Sequence, residues 1–178
     1  LQLNPSSNAL IGKMCLQLAA DHLEGGKGDF AILSATTTST NQNIWIEEMK
    51  KQLKDFPGLN LVTTVYGDDL ADKSYREAQG LLTSQPNVKV IVAPTTVGVL
   101  AASQAVKDAG KIGQVYVTGL GLPSEMAGAI KSGATKEFAI WNPIDLGYSA
   151  TQIAYHLVKG DADGTPGSEI EAGRMGKI

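Results

Sequence analysis

The stretch Phe30-Ala-Ile-Leu-Ser34, followed by the polar run Ala35 to Asn41 and then by Ile44, Trp45, Met49 and Leu53 at helical spacing, decides the fold. Its first residues are apolar without alternation, the pattern of a strand covered on both faces of a parallel sheet. The same order of strand, polar loop and helix recurs along the chain. Asn60-Leu-Val-Thr-Thr-Val-Tyr66 leads into a helix over about 71–84, with Tyr75, Ala78, Leu81 and Leu82 inward. Val88-Lys-Val-Ile-Val-Ala93 leads through Pro94-Thr95-Thr96 into a helix over 97–109. Val115-Tyr-Val-Thr118 leads through Gly119 to Ser124 into a short helix opening near Pro123, and Glu137-Phe-Ala-Ile-Trp141 through Asn142 into a helix over 143–158. Proline suits a first helical turn, which supports the last two starts. Gly25-Gly26, Phe56-Pro57-Gly58, Gln85-Pro86-Asn87 and Gly110 supply the stops.

Five strands alternating with helices predict an α/β fold, a three-layer αβα lobe around a mainly parallel, doubly wound sheet with right-handed crossovers. Upstream, Asn4-Pro5-Ser6-Ser7 reads as a turn, and Leu10, Ile11, Met14, Cys15, Leu18 and Ala19 share one helical face. Gly160 to Gly167 reads as a loop or hinge, and Ser168 to Ile178 as a strand cut short. A doubly wound unit should start from a strand, and this chain opens on a helix. The expectation is one α/β lobe over 1–178, belonging to a larger two-lobed protein.

A chain of 178 residues is ample for one core and short for two domains. Its net charge of −3, without a basic block, argues against nucleic acid as a partner. No apolar run approaches the roughly 20 residues that span a bilayer. The single Cys15 allows neither an internal disulfide nor a cysteine zinc site, and its helical setting reads as a buried structural thiol.

The usual catalytic signatures are missing. Gly119-Leu-Gly121-Leu-Pro-Ser lacks the third glycine of a dinucleotide fingerprint, and no Walker-type run occurs. There is no Gly-x-Ser-x-Gly elbow. His22 and His156 lie near helix ends, where a surface or C-cap role is expected. Asp68, Asp69 and Asp72 precede a helix and read as caps and dipole partners rather than metal ligands. No metal, cofactor or catalytic residue is expected.

What remains is a set of polar loops following the strands. In an open parallel sheet these loops gather at the carboxyl ends, where ligands bind at a topological switch point. Asn41 and Gln42 carry amides that both donate and accept, as sugar hydroxyls do. The bland alternative is that Thr40 or Asn41 only caps a helix. Thr95 and Thr96 follow the next strand, and Trp141 could cover the apolar face of a sugar ring. Asn142 and Asp145 stand at the last helix start, where capping is the competing explanation. The loops together suggest a binding rim for a small uncharged polyol.

On Thr40-Asn-Gln-Asn-Ile-Trp-Ile-Glu-Glu-Met49, Val90-Ile-Val-Ala-Pro-Thr95, Val117-Thr-Gly-Leu-Gly-Leu-Pro123 and Lys136-Glu-Phe-Ala-Ile-Trp141, the chain resembles the C-terminal lobe of type I periplasmic sugar-binding proteins. Within that family it is most similar to rhamnose-binding and furanosyl autoinducer-binding receptors of ABC importers. The resemblance implies two lobes joined by crossing segments, with a sugar clamped between them; residues 1–5 and 169–178 would lie near the hinge. It implies a periplasmic receptor that binds without turnover, is monomeric at full length and docks on a membrane permease.

Asn41 stands where the autoinducer receptors have an acidic ligand-binding residue, and Gln42 where they have a matching glutamine. Pro94 matches their binding-loop proline, with Thr96 at a neighbouring contact. Ribose- and galactose-type members use Asn-Asp where this chain has Thr95-Thr96, Asp where it has Gly121, and Gln where it has Trp141. Fewer hydrogen-bonding side chains and a Trp-lined wall favour a methyl-bearing deoxysugar such as rhamnose. The second reading is the effector-binding core of a lac-repressor-type transcription regulator, which shares the fold. The third is a sugar-modifying enzyme, for which base and nucleophile are missing.

Overall fold

A computed structural model describes residues 3–165 and 167–178. Leu1 and Gln2, in the segment expected beside the hinge, and Pro166, in the expected loop, lie outside the described residues. The chain divides into two compact units, one of Asn8–Ile140 and one of Leu1–Ser7 with Trp141–Ile178.

The first unit is built around four parallel strands: β1 (Gly28–Ser34), β2 (Leu59–Tyr66), β3 (Val88–Ala93) and β4 (Tyr116–Gly119), in the order β2-β1-β3-β4. Its helices are α1 (Asn8–Asp21), α2 (Thr40–Gln52), α3 (Ala71–Ser84), α4 (Thr96–Asp108) and α5 (Pro123–Ser132). Because side chains alternate across a strand, each strand feeds two cores. Ala31 and Leu33 of β1 and Ile91 and Ala93 of β3 meet α3, α4 and α5 through Leu81, Val99, Ala102 and Met126. Phe30, Ile32, Val90 and Val92 face the other way and meet α1 and α2 through Cys15, Leu16, Ile46 and Met49. This is the three-layer α/β lobe that the unbroken apolar strands predict, and burying each such large side chain is worth about 1.5–3 kcal/mol.

Two close approaches shape the layers. Gly12 of α1 sits so near α2 that an added Cβ would lie 2.7 Å from Glu48 Cβ. Gly119, at φ 144°, ends β4 where a Cβ would collide with the Ala93 carbonyl oxygen. The inward face of α1 is centred on Ile11, Cys15, Leu16 and Ala19; Leu10 and Met14, expected on that face, lie at its margin and are exposed. Ile44 is likewise exposed on α2, while Trp45, Ile46 and Met49 are buried. Cys15 is fully buried, and burial alone pushes its thiol up to about 12.

The fifth expected strand, 137–141, is reduced to a single parallel bridge between Leu120 and Ala139. The edge of β4 is already partly occupied: Val117 N–H donates to the Ala134 carbonyl, and the Thr118 hydroxyl to that of Glu137. Only Ala139 N–H to Gly119 O and Gly121 N–H to Ala139 O remain as ladder bonds.

The second unit holds α6 (Pro143–Lys159), ended by Gly160 in the left-handed region at φ 83°. The expected terminal strand instead folds back on itself. Ile170 and Ile178 exchange backbone hydrogen bonds of 3.0 Å around a 3-10 turn at Gly173–Met175, with an antiparallel bridge between Glu171 and Lys177. His156 is tethered within this unit, by Nδ1 to Asp161 and by Nε2 to the Glu171 carbonyl.

Candidate functional site

In the order β2-β1-β3-β4 the chain moves outward from β1 to β2 and then returns to the other side of β1 for β3. The switch point therefore lies between β1 and β3, and the loops that follow them flank it. Asn41 and Gln42 stand on one side of it, and Pro94, Thr95 and Thr96 on the other. Gly121 follows β4, the next strand along.

Gln42 lies in the first turn of α2 and is buried. Its Oε1 accepts from the Ser34 hydroxyl (2.7 Å) and from Ala35 N–H (2.9 Å), which clamps α2 onto the end of β1. The acceptor half of the amide is thus committed, and its NH2 is the half that remains for a ligand. The residue ahead of the helix is Ser39, not Thr40 or Asn41, and its hydroxyl donates to Asn41 Oδ1 (2.9 Å) rather than capping a backbone group. Asn43 Nδ2 reaches back to the Thr37 carbonyl (2.8 Å). The loop is held in shape by its own side chains, the preorganisation a binding loop needs.

Pro94 and Thr95 are buried and Thr96, the first residue of α4, is half-buried. Thr95 occupies the N-cap of α4, yet its hydroxyl makes no cap bond and donates instead to Asp69 Oδ1 in the loop after β2. Reading Asp69 as a helix cap was wrong: the N-cap of α3 is Leu70, and Asp68 pairs with Lys73 at 2.6 Å. Asp68 and Asp69 both adopt left-handed backbone, at φ 54° and 57°. Gly121 is a packing glycine whose added Cβ would lie 2.6 Å from Met126 Cγ, and its N–H is used by Ala139.

Trp141, Asn142 and Asp145 belong to the second unit. Trp141 is half-buried ahead of α6. Asn142 is a working N-cap: its Oδ1 accepts from Ile144 N–H (3.0 Å) and Asp145 N–H (3.2 Å). Asp145 returns the contact through Asn142 Nδ2 (2.5 Å) and pairs with Arg174 (2.6 Å), whose guanidinium lies over the Tyr148 ring. Capping accounts for the contacts of Asn142, and an ion pair with Arg174 adds to it at Asp145.

At the opposite, amino ends of the strands lies an open depression of about 840 Å³ lined by His22, Lys27, Lys89, Tyr116 and Lys136. Two of its lining residues, His22 and Lys136, already have partners. His22, expected at the surface or as a cap at the end of α1, is only 3% exposed and takes the capping role. Its Nδ1 donates to the Leu18 carbonyl (2.7 Å), and its Nε2 accepts from Lys136 N–H (3.3 Å). Burial lowers its pKa below the ordinary 6.5, against the pull of the Leu18 carbonyl and Glu137, so the ring is neutral with Nδ1 protonated. Lys136 lies 3.8 Å over the Tyr116 ring. The carboxyl-edge rim, which lies at the topological switch point, is the better candidate site. Among the described residues, no group of three or more His, Cys, Asp or Glu could hold a metal, and no helix is long and apolar enough to cross a membrane.

Comparison with known proteins agrees with this geometry. Residues 4–162 match the family of the periplasmic binding protein domain. The chain belongs to the periplasmic binding proteins. Its sheet and flanking helices are the type I α/β fold of that family. A solute-binding protein of an ABC transporter from Clostridium phytofermentas, solved with bound L-rhamnose, is 41% identical with a TM-score of 0.87 over 92% of this chain and 52% of that one. A sugar ABC transporter structure from Actinomyces odontolyticus is 40% identical, with a TM-score of 0.79 over 96% and 55%. The D-allose-binding periplasmic protein of Escherichia coli K12 is 24% identical over 83% of this chain and 48% of its own length. The chain thus spans about half the length of these relatives.

Proposed function

We propose that this chain is part of the solute-binding receptor of an ABC sugar importer, holding a small neutral sugar of the rhamnose type in a cleft between two lobes. The observation that carries the reading is the rim at the β1–β3 switch point, where the Gln42 amide, Asn41 and the threonines after β3 offer hydrogen bonds without a metal or a phosphate cradle. Family membership and the rhamnose-bound neighbour support it. Pro94, Thr96 and Gly121 would complete the wall; in the other unit Trp141 would stack on the sugar ring, with Asn142 and Asp145 fixing the segment that carries it.

Binding is the whole task, with no turnover. A sugar touching both lobes stabilises the closed arrangement, and the closed form docks on a membrane permease. Residues 3–5 and 169–178 lie beside the hinge in this reading, and the receptor works as a periplasmic monomer without a cofactor. The test is thermal unfolding of the full-length protein with L-rhamnose, L-fucose, ribose, galactose and a furanosyl autoinducer. Ligand at about a thousand times its dissociation constant adds about 4 kcal/mol. A shift with L-rhamnose is expected, and no shift with any sugar would turn the assignment toward a regulator's effector core.

A further inference from the structure

We propose that Asp69 and Thr95 form the selecting element of the rim: Asp69 orients the Thr95 hydroxyl and offers its second carboxylate oxygen to a ligand hydroxyl. The proposal rests on the sugar-receptor reading and adds to that rim a charged acceptor from a loop that none of its other residues occupies.

The placement follows from strand order. β2 and β3 flank β1, so a bond from Thr95 to Asp69 spans the end of β1 at the switch point. The loop carrying Asp69 is pinned there, because Gly67 N–H donates to the Ser34 carbonyl (2.9 Å) and Asp68 N–H to that of Ala35 (2.8 Å). Ser34 and Ala35 are the same residues that hold Gln42. Three loops therefore converge on one strand end.

Neither member of the pair serves its own helix. Threonine at an N-cap ordinarily turns its oxygen to a backbone N–H of the first turn, and Thr95 makes no such bond. Asp69 caps nothing, and Lys73 is paired with Asp68 instead. Left-handed backbone at two successive non-glycine residues is disfavoured, and such conformations concentrate at ligand sites.

The chemistry is complementary across the strand end. The Thr95 proton goes to Asp69 Oδ1, which leaves the Thr95 oxygen and Asp69 Oδ2 with acceptor capacity for a ligand. Gln42, with Oε1 committed, faces it as a donor. A sugar hydroxyl that donates to the first and accepts from the second satisfies both, and a ligand lacking it leaves Asp69 Oδ2 without that partner.

The experiment is calorimetric titration of the full-length protein with L-rhamnose. Asp69→Asn keeps a residue that tolerates left-handed backbone, and it should weaken binding about tenfold or more, as should Thr95→Val. Thr95→Ser should bind within about threefold of the parent, and the double variant should be little worse than either single one, because the pair acts as a unit. Ligand-free melting of each variant checks its fold. Single-deoxy analogues of rhamnose on the unmutated protein need no variant, and one deletion should cost about tenfold or more. Parental affinity in Asp69→Asn and Thr95→Val, or no deoxy analogue losing more than about twofold, overturns the pair while leaving the receptor reading intact. A parent that binds no sugar overturns the receptor reading and the pair with it.

Discussion

The two units use the same raw material to different ends. In 8–140 the apolar face of every strand finds a helix, and Phe30, Ile32, Leu81 and Val99 are completely or almost completely enclosed. In the second unit the 17-residue α6 has an apolar stripe of comparable quality but buries only Ser149. Ile144 is 74% exposed, Tyr155 58% and Val158 92%. Hydrophobic periodicity shows that a helix has a face to cover; it does not show what covers it.

The comparison can be broken at its strongest point by Gly119→Ala. A methyl there meets the Ala93 carbonyl and a backbone that L-residues avoid, so the loss should reach about 4 kcal/mol or more by denaturant melting. Retention of parental stability would show that the end of β4 is not packed against Ala93 of β3 as described. Next comes Leu81→Ala, in the core between α3 and the sheet, which should cost about 2–5 kcal/mol. Asn142→Ala removes the cap of α6 and should cost about 1 kcal/mol. Val158→Ala should stay within about 0.5 kcal/mol in this chain. Repeating it in the full-length protein sharpens the contrast, because a clear loss there would mean that the open face of α6 is covered in the longer molecule.

The smallest effect at neutral pH concerns His22. Its folded pKa is lowered by burial, so above pH 6.5 the ring is neutral in both folded and unfolded chains and titration changes nothing. As pH falls below 6.5 the unfolded chain takes up a proton that the folded one resists, and stability falls until the lowered folded pKa is passed. Stability measured against pH from 8 to 5 should therefore decline on the acid side, with a shallower decline in His22→Gln.

Much of this was legible in residue order. β1 and β3 are apolar runs without alternation, Pro123 and Pro143 open helices, and Gly160 closes one. The strand ends carrying Gln42 and Thr95 followed from those elements. What local pattern could not supply is pairing across the sheet. Asp69 looked like a helix cap because its partner, Thr95, is 26 residues away and becomes a neighbour only through the order β2-β1-β3. A capping role for His22 was legible, but its burial was not, because Lys136, whose amide it accepts from, is 114 residues away. Glu137 to Trp141 has strand chemistry, but on the β4 edge it would join, Val117 N–H already donates to Ala134, and the Glu137 carbonyl accepts from the Thr118 hydroxyl. Gln42 was found as an amide on the rim, but not as one that spends its carbonyl on Ser34 and Ala35.

The measurement that bears most directly on the central claim is a crystal structure of the full-length protein with L-rhamnose. The account predicts the sugar at the carboxyl ends of β1 and β3, within hydrogen-bond distance of the Gln42 amide nitrogen. Rhamnose seated instead at the amino ends beside Lys27 and Lys136, with the Gln42 rim empty, would contradict it.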